Sequence, residues 1–311
     1  MKKVSVLIPC HNEEQSLPLL YSELIKIMDG NPQYEWELMF VNDGSSDGTL
    51  AALQQLRSHD EHVNYLDLSR NFGKEAAMLA GFDHVTGDCL VIIDADLQEP
   101  PSLIPEMLHW WEQGYDDVYA RRKSRGKESW LRKQLSLRFY KILQRSSRFD
   151  VLQNVGDFRL LDRCCINALK RMRERERYTK GMYSWIGFRK YEVEFKQGDR
   201  IAGKSSWNYR QLFSFAIDGI TSFTTAPLRI ASFAGITVSI CAFIYMLYVF
   251  VKALIWGDPV QGYPTLVILI LFLGGVQLLS LGIIGEYVGR IFNESKRRPE
   301  YVVREFNGNK V

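Results

Sequence analysis

The sequence has little cysteine: five residues in 311, at positions 10, 89, 164, 165 and 241. None forms a C-x-x-C pair, and no nearby histidine completes a zinc pattern, which excludes a structural zinc module. No histidine is placed to activate a thiol, so a catalytic cysteine would lack its base. All five read as buried thiols in a reducing compartment. Net charge is also small, +3, too little to argue for nucleic acid as a partner. A signal-peptide apolar core is missing too: Met1-Lys2-Lys3-Val4 runs directly into a short strand. The N-terminal domain is therefore expected to stay in the cytosol.

What is present divides sharply. Residues before about Thr225 mix polar and apolar types, while two long apolar runs and a short basic tail follow Pro227. In the first part, strand and helix patterns alternate. Val4 to Ile8 reads as a buried strand stopped by Pro9, and Leu17, Leu20, Tyr21, Leu24 and Ile27 recur at helical spacing. Leu38–Val41, Tyr65–Leu68 and Cys89–Ile93 read as further strands, with helical patterns between them. Such alternation predicts an α/β fold: a mostly parallel, Rossmann-like sheet with helices on both faces. Ligands of such sheets bind beyond the carboxyl ends of the strands. Three polar clusters fall there: His11-Asn12-Glu13, Asn42-Asp43 and Asp94-Ala95-Asp96.

Ile230–Val251 and Leu266–Gly285 contain no charged residue. Each is about long enough to span a bilayer core of roughly 30 Å. Arg210 and Arg229 flank one end; Arg290, Lys296, Arg297, Arg298 and Arg304 flank the other, and the connector carries one Lys and one Asp. The positive-inside rule puts both flanks in the cytoplasm. We therefore expect a catalytic domain over 1–225, two transmembrane helices within 226–289 (about 230–251 and 265–287), and a basic cytoplasmic tail over 290–311. Both termini would be cytoplasmic. Gly285 and Gly289 have the spacing that lets helices approach closely, which suits either the chain's own first span or self-association; a homo-oligomer is expected. Arg121 to Arg148 is basic with an apolar component that includes Trp130, Leu131 and Phe139, as suits a membrane-facing amphipathic region.

Asp94-Ala95-Asp96 carries the chemistry. A lone D-x-D is weak, since a chain this long holds roughly one by chance. Here it follows an apolar strand directly, so both carboxylates emerge at the ligand-binding edge. Hard oxygens so placed suit Mg²⁺ or Mn²⁺ holding diphosphate oxygens, and Gln98 could reach the same ion. Cleaving a sugar–diphosphate bond builds negative charge on the departing phosphate, which a divalent cation and Arg or Lys side chains stabilise. Basic candidates are Arg121, Arg122, Lys123, Arg132, Lys133, Arg200 and Lys204.

These motifs together resemble the family 2 glycosyltransferases of the GT-A fold. More narrowly they resemble the polyprenyl-phosphate group: bactoprenol glucosyltransferases of O-antigen modification, with dolichol-phosphate mannose synthase as a cousin. The segments that carry the resemblance are Val6-Leu7-Ile8-Pro9 with Asn12-Glu13, Val41–Thr49, Ser69–Glu75, Ile93–Pro101, Gly156-Asp157-Phe158-Arg159-Leu160, Arg200–Trp207 and Leu271–Gln277 with Gly285-Glu286-Tyr287. The resemblance implies a hexosyltransferase at the inner (plasma) membrane. It would move glucose from UDP-glucose onto polyprenyl (undecaprenyl) phosphate with inversion, for lipopolysaccharide or cell-envelope modification. A separate flippase and a downstream transferase would be its partners. By resemblance, Pro9, Asn12, Glu13 and Asp43 line the nucleoside pocket, with Asp43 accepting from a ring N–H of the base. Asp94 faces ribose or diphosphate, Asp96 and Gln98 the metal, and Arg200 and Lys204 the diphosphate. Arg122 and Lys133 hold the acceptor phosphate. Asp157 takes the place of the catalytic base, and Asp96 counts with it as catalytic. A lipid phosphate has a second pKa near 6 and is mostly ionised at pH 7, so it hardly needs a base. Asp157 could instead orient the acceptor or pair with Arg159.

Other readings stay open at this point. Mannose, galactose or an N-acetyl sugar could replace glucose. A processive polysaccharide synthase shares the fold, but the Q-x-x-R-W motif typical of those enzymes is missing. An inactive, transferase-like membrane subunit is disfavoured by the intact Asp94, Asp96 and Asp157.

Overall fold

β-branched and aliphatic runs with polar ends become strands, and the sheet they form is larger than the sequence pattern implied. The computed structural model describes residues 1–123, 155–175, 177–195 and 262–311, with scattered helical positions between 233 and 255. In chain order the strands are β1 (Lys2–Cys10), β2 (Tyr34–Asn42), β3 (Val63–Leu68), β4 (Cys89–Ile92), β5 (Asp117–Arg122), β6 (Val155–Asp162), β7 (Lys190–Phe195), β8 (Val303–Phe306) and β9 (Asn309–Lys310). They lie in the order β7-β5-β6-β4-β1-β2-β3-β8-β9. The central β4-β1-β2-β3 block is parallel. β6 runs antiparallel to both β4 and β5, and β8 runs antiparallel to β3.

The helices are α1 (Leu17–Asp29), α2 (Thr49–His59), α3 (Lys74–His84), α4 (Ile104–Glu112), α5 (Arg163–Arg171), α6 (Thr179–Trp185) and α7 (Tyr263–Ser295). β1 is buried on both faces, which is why it reads as a continuous apolar run. Val4, Val6 and Ile8 pack with Leu17, Leu20 and Leu24 of α1, Leu53 of α2 and Met107 of α4. Leu7 points the other way, under α3. A methyl group on Gly81 of α3 would lie 2.1 Å from Leu7 Cδ1, so glycine is what allows this helix to sit so close to the strand. Full burial of each such Val or Leu is worth about 1.5–3 kcal/mol.

Pro9 does not stop β1, as the sequence suggested. The strand continues to Cys10, with Pro9 opposite Val41 of β2. On its other side the pairing with β4 ends at Leu7 opposite Ile92. Pro9 therefore lies where β1 has one neighbour, and its missing N–H leaves no ladder bond unmade.

The chain divides into two units: Met1–Phe213 with Arg298–Val311, and Ser214–Arg297. In the second, α7 contains one stretch, Phe272–Ser295, long and apolar enough to cross a membrane. Its large apolar side chains, among them Leu278, Leu281 and Ile291, are exposed. Glu286 accepts from Arg290 one turn on, at 3.0 Å, as the i, i+4 spacing predicts. The helix itself continues past 287, the expected end of the second span, to Ser295. Nor is 290–311 a free basic tail. Residues from Val303 form β8 and β9 and extend the sheet beyond β3. The basic segment 124–154, the Arg200–Trp207 motif and most of the first apolar run lie outside the described residues.

The cysteines only partly follow expectation. Cys10, Cys89 and Cys165 are buried, Cys164 is half-buried and Cys241 is exposed. Burial pushes the Cys10 and Cys89 thiols well up, and nearby carboxylates push them further, which disfavours the thiolate at both.

Candidate active site

Parallel strands deliver their carboxyl ends to one edge, and a cavity of about 340 Å³ opens there. Its walls are Pro9, Cys10, His11 and Glu13 after β1, Asp43 after β2, Asn71, Gly73 and Lys74 before α3, and Asp94-Ala95-Asp96 after β4. The size is that of a small-molecule site. All three polar clusters identified in the sequence contribute to it.

The loop after β2 is held by its own side chains. Asp43 is buried, and its two carboxylate oxygens accept from Phe72 N at 2.7 Å and Gly73 N at 2.8 Å. The group expected to receive a base N–H thus already clamps the β3–α3 loop, though each oxygen keeps a second acceptor position. Gly44 has φ +61, and a Cβ there would lie 2.4 Å from Arg70 C and Asn71 N, so only glycine fits. Asn12 is not itself a wall residue. Its backbone is left-handed, with φ 60, its N–H donates to Ser45 Oγ at 3.0 Å, and its Oδ1 accepts from Ser46 N at 2.8 Å. Glu13 donates its backbone N–H to Thr49 Oγ1 at 2.8 Å.

The decisive feature is Lys74. Its ammonium lies 2.6 Å from Asp94 Oδ1 and 2.8 Å from Asp157 Oδ2. Burial alone would lower the Lys74 pKa, but Asp157 and Asp94 more than offset it, and the group is raised well above its usual value. Asp157 is buried, which would raise it, yet Lys74 and then Lys180 hold its carboxyl well below the usual range. Its Oδ1 has no hydrogen-bond partner among the described residues. Glu99, also buried, stands beside the same cluster. Burial and then Asp94 push it up to about 8, although Arg122 Nη2 lies 3.5 Å from its Oε1. Glu75 is raised by burial and by Asp157, and accepts from Thr179 N at 3.1 Å.

Asp157 does not pair with Arg159, one of the options the sequence left open. Arg159 is buried within the sheet, where its Nη1 lies 3.1 Å from Asp117 Oδ2 and its guanidinium stacks 3.6 Å from the Tyr183 ring centroid. Asp157 and Arg159 are two positions apart on β6, where Arg159 is opposite Ile92 at the carboxyl end of β4, and each takes its own partner of opposite charge.

Residues 5–169 match the family described as Glycosyl transferase family 2, and residues 226–291 match the GtrB C-terminal hairpin. The chain is 44% identical over 304 residues to CsbB of Bacillus subtilis (strain 168), covering 98% of this chain and 92% of that one. It is 41% identical over 302 residues to a bactoprenol glucosyl transferase of Shigella phage SfV, covering 97% and 98%. A prophage bactoprenol glucosyl transferase homolog of Escherichia coli (strain K12) is also 41% identical over 302 residues, covering 97% and 98%. The chain belongs to glycosyltransferase family 2.

In this glycosyltransferase, Pro9, Glu13, Asp43, Asp94 and Asp96 share one cavity. Asp157 joins them through Lys74, and Arg122 through Glu99. Lys133, Arg200 and Lys204 lie outside the described residues. Asp96 Oδ1 accepts from Gln98 N at 3.1 Å across Leu97, whose φ is +58. Gln98 itself is not a wall residue. A tight cluster of three other liganding groups, Asp116, Asp162 and Cys164, lies at the opposite end of β4, where Asp162 pairs with Cys89. Its carboxylates already accept from Trp111 Nε1, Cys164 N and Arg189 N. Sequence reasoning missed Lys74 and Glu99. Lys74 carried a signal: it opens α3, where the helix dipole disfavours a cation, and a residue against that rule needs another reason to be there.

Proposed function

We propose that this family 2 glycosyltransferase moves glucose from UDP-glucose to polyprenyl phosphate, with inversion, at the cytoplasmic face of the membrane. The observation that carries the reading is the match of both parts of the chain at once: the transferase domain and the apolar hairpin, in relatives aligned over nearly their full length that are named bactoprenol glucosyl transferases.

The chemistry proposed is a single displacement. An acceptor phosphate oxygen attacks the anomeric carbon, the bond from that carbon to the diphosphate breaks, and the electron pair leaves on the nucleoside diphosphate. Asp157 is a poor base, because its carboxyl is held far below neutral pH. A lipid phosphate is already mostly ionised at pH 7 and needs none. Asp157 instead holds Lys74, which holds Asp94 in turn, and the pair is proposed to position Asp94 toward the donor. A divalent cation fits the donor set, since the hard oxygens of Asp94 and Asp96 face one cavity, with Gln98 adjacent. Bound there, Mg²⁺ or Mn²⁺ would neutralise charge growing on the departing diphosphate. Arg122, Lys133, Arg200 and Lys204 are proposed as the remaining phosphate ligands.

Chain connectivity supports two spans. β8 belongs to the same sheet as β1 to β7, so the chain returns to the side it left. If α7 crosses a membrane, a second crossing must occur between Phe195 and Gly262. Ile230–Val251, uncharged and inside the matched hairpin, is the segment for it.

The test is a turnover assay of the purified full chain with undecaprenyl phosphate and a panel of nucleotide-sugars, with and without EDTA. UDP-glucose should be the preferred donor, the product β-linked and EDTA inhibitory. Preference for another nucleotide-sugar overturns the glucose assignment, and full activity in EDTA overturns the metal site.

A further inference from the structure

Asp67 of β3 is fully buried, so its carboxylate must find partners inside the protein. Two arrive from opposite directions. Asn42 Nδ2 donates to Oδ1 at 2.8 Å. Arg304 Nε donates to Oδ2 at 2.5 Å, with Nη2 on the same oxygen. Arg304 lies on β8, beyond the apolar helix α7, and is separated from Asp67 by 237 positions.

The contact does not end at Asp67. A carboxylate only accepts, so it obliges Asn42 to turn its Nδ2 inward, and the Asn42 Oδ1 is thereby aimed at the next loop. That oxygen accepts from Ser45 Oγ at 2.5 Å and from Ser45 N at 3.3 Å. Ser45 Oγ in turn accepts from Asn12 N at 3.0 Å. Asn12 is held in a left-handed conformation between His11 and Glu13, both walls of the cavity. An unbroken series of hydrogen bonds thus runs from β8 to the cavity rim. Arg304 enters from the exposed side, its side chain 54% exposed, while Asp67 and Asn42 are buried and Ser45 is half-buried, so water does not substitute readily between Asp67 and Ser45.

We infer that Arg304 is a positioning residue for the nucleotide pocket, acting through Asp67, Asn42 and Ser45 on the loop around Asn12. The strand that follows the membrane hairpin is then part of the donor site, and donor affinity depends on the chain continuing past the anchor. Without the guanidinium, Asp67 loses its countercharge and Asn42 loses the fixed acceptor that sets its orientation. This inference rests on the reading of the cavity as the nucleotide-sugar site.

Other contacts between β8 and β3 supply a control. Asn307 Oδ1 accepts from Tyr65 N at 2.8 Å, and Asn307 Nδ2 donates to Asn64 Oδ1 at 2.8 Å, with no link to Asn42. KM for UDP-glucose and for undecaprenyl phosphate should be measured on the full-length chain. Arg304→Ala should raise the donor KM about tenfold, the scale of a lost charged hydrogen bond. The lipid KM should stay within about twofold. Arg304→Lys should recover most of the loss, and Asn307→Ala should leave the donor KM unchanged. If Arg304→Ala is not recovered folded, Arg304→Gln gives the same comparison, because it keeps a donor toward Asp67 and removes the charge. An unchanged donor KM in the Arg304 variant overturns the inference. So does an equal rise in Asn307→Ala, which would make β8 ordinary packing. If the wild-type chain does not turn over UDP-glucose, the donor assignment fails separately. Calorimetric binding of UDP and GDP to the same variants then decides the inference: a weaker affinity in Arg304→Ala alone supports it, and no difference or no binding overturns it.

Discussion

Lys74→Met removes one ammonium and keeps most of the apolar stem, which isolates the charge that joins Asp94 to Asp157. At the observed 2.8 Å from Asp157, and with an effective dielectric constant of about 20, the Coulomb attraction is roughly 6 kcal/mol before desolvation is subtracted. Removing one partner of a fully buried pair usually costs about 3–5 kcal/mol. The Lys74 side chain is 40% exposed, so water replaces part of the lost attraction, and a net destabilisation of about 1–3 kcal/mol is expected. For a domain of this size that corresponds to a fall in Tm of roughly 2–10 °C. The sign of the pH dependence follows from Asp157, whose carboxyl is held below its unfolded value. A depressed carboxyl contributes stability above its unfolded pKa of about 3.9 and loses it as pH falls through the folded value. The difference between wild type and variant should therefore be fully open at pH 7 and narrow below about pH 4. Catalysis should suffer more than stability. Loss of a preorganised cation beside the reacting groups typically lowers kcat about hundredfold. Thermal melts of the detergent-solubilised chain across pH, beside single-turnover rates at pH 7, check both. An unchanged melting temperature at pH 7 together with wild-type turnover would refute this role, since Lys74 would then be a surface lysine whose partners do not need it.

Arg159→Met should destabilise more than Lys74→Met, by about 3–5 kcal/mol in chemical denaturation, because it strands the fully buried Asp117 without its cation. Adding Asp117→Asn should recover part of that loss; no recovery would show that the Tyr183 stacking matters more than the charge. For topology, a cysteine probe introduced at Gln261 should react with an impermeant reagent from outside the cell and one at Asn309 should not, the reverse pattern overturning the cytoplasmic placement of the catalytic cavity.

The sequence by itself determined the parallel core and the contents of its ligand edge. Buried strands such as Val4–Ile8 announce themselves as apolar runs, and turn chemistry marks where they end, so Glu13, Asp43, Asp94 and Asp96 are legible as one edge from local pattern alone. The two uncharged runs are legible for the same reason, and the match to the GtrB C-terminal hairpin covers both of them. Tertiary structure alone decided which charges meet. Lys74 and Asp157 are far apart in the chain, and nothing local pairs them; the antiparallel insertion of β6 beside β4 does. The same holds for Arg304, which the sequence presents as one more basic residue of a cytoplasmic tail. It reaches Asp67 only because β8 pairs with β3, the last strand of the parallel block, and a four-residue strand is too short to show a period. Local patterns record burial, because burial is a property of each residue and its near neighbours. Ion pairs depend on sheet order, and sheet order is settled by long-range packing that no window of sequence contains.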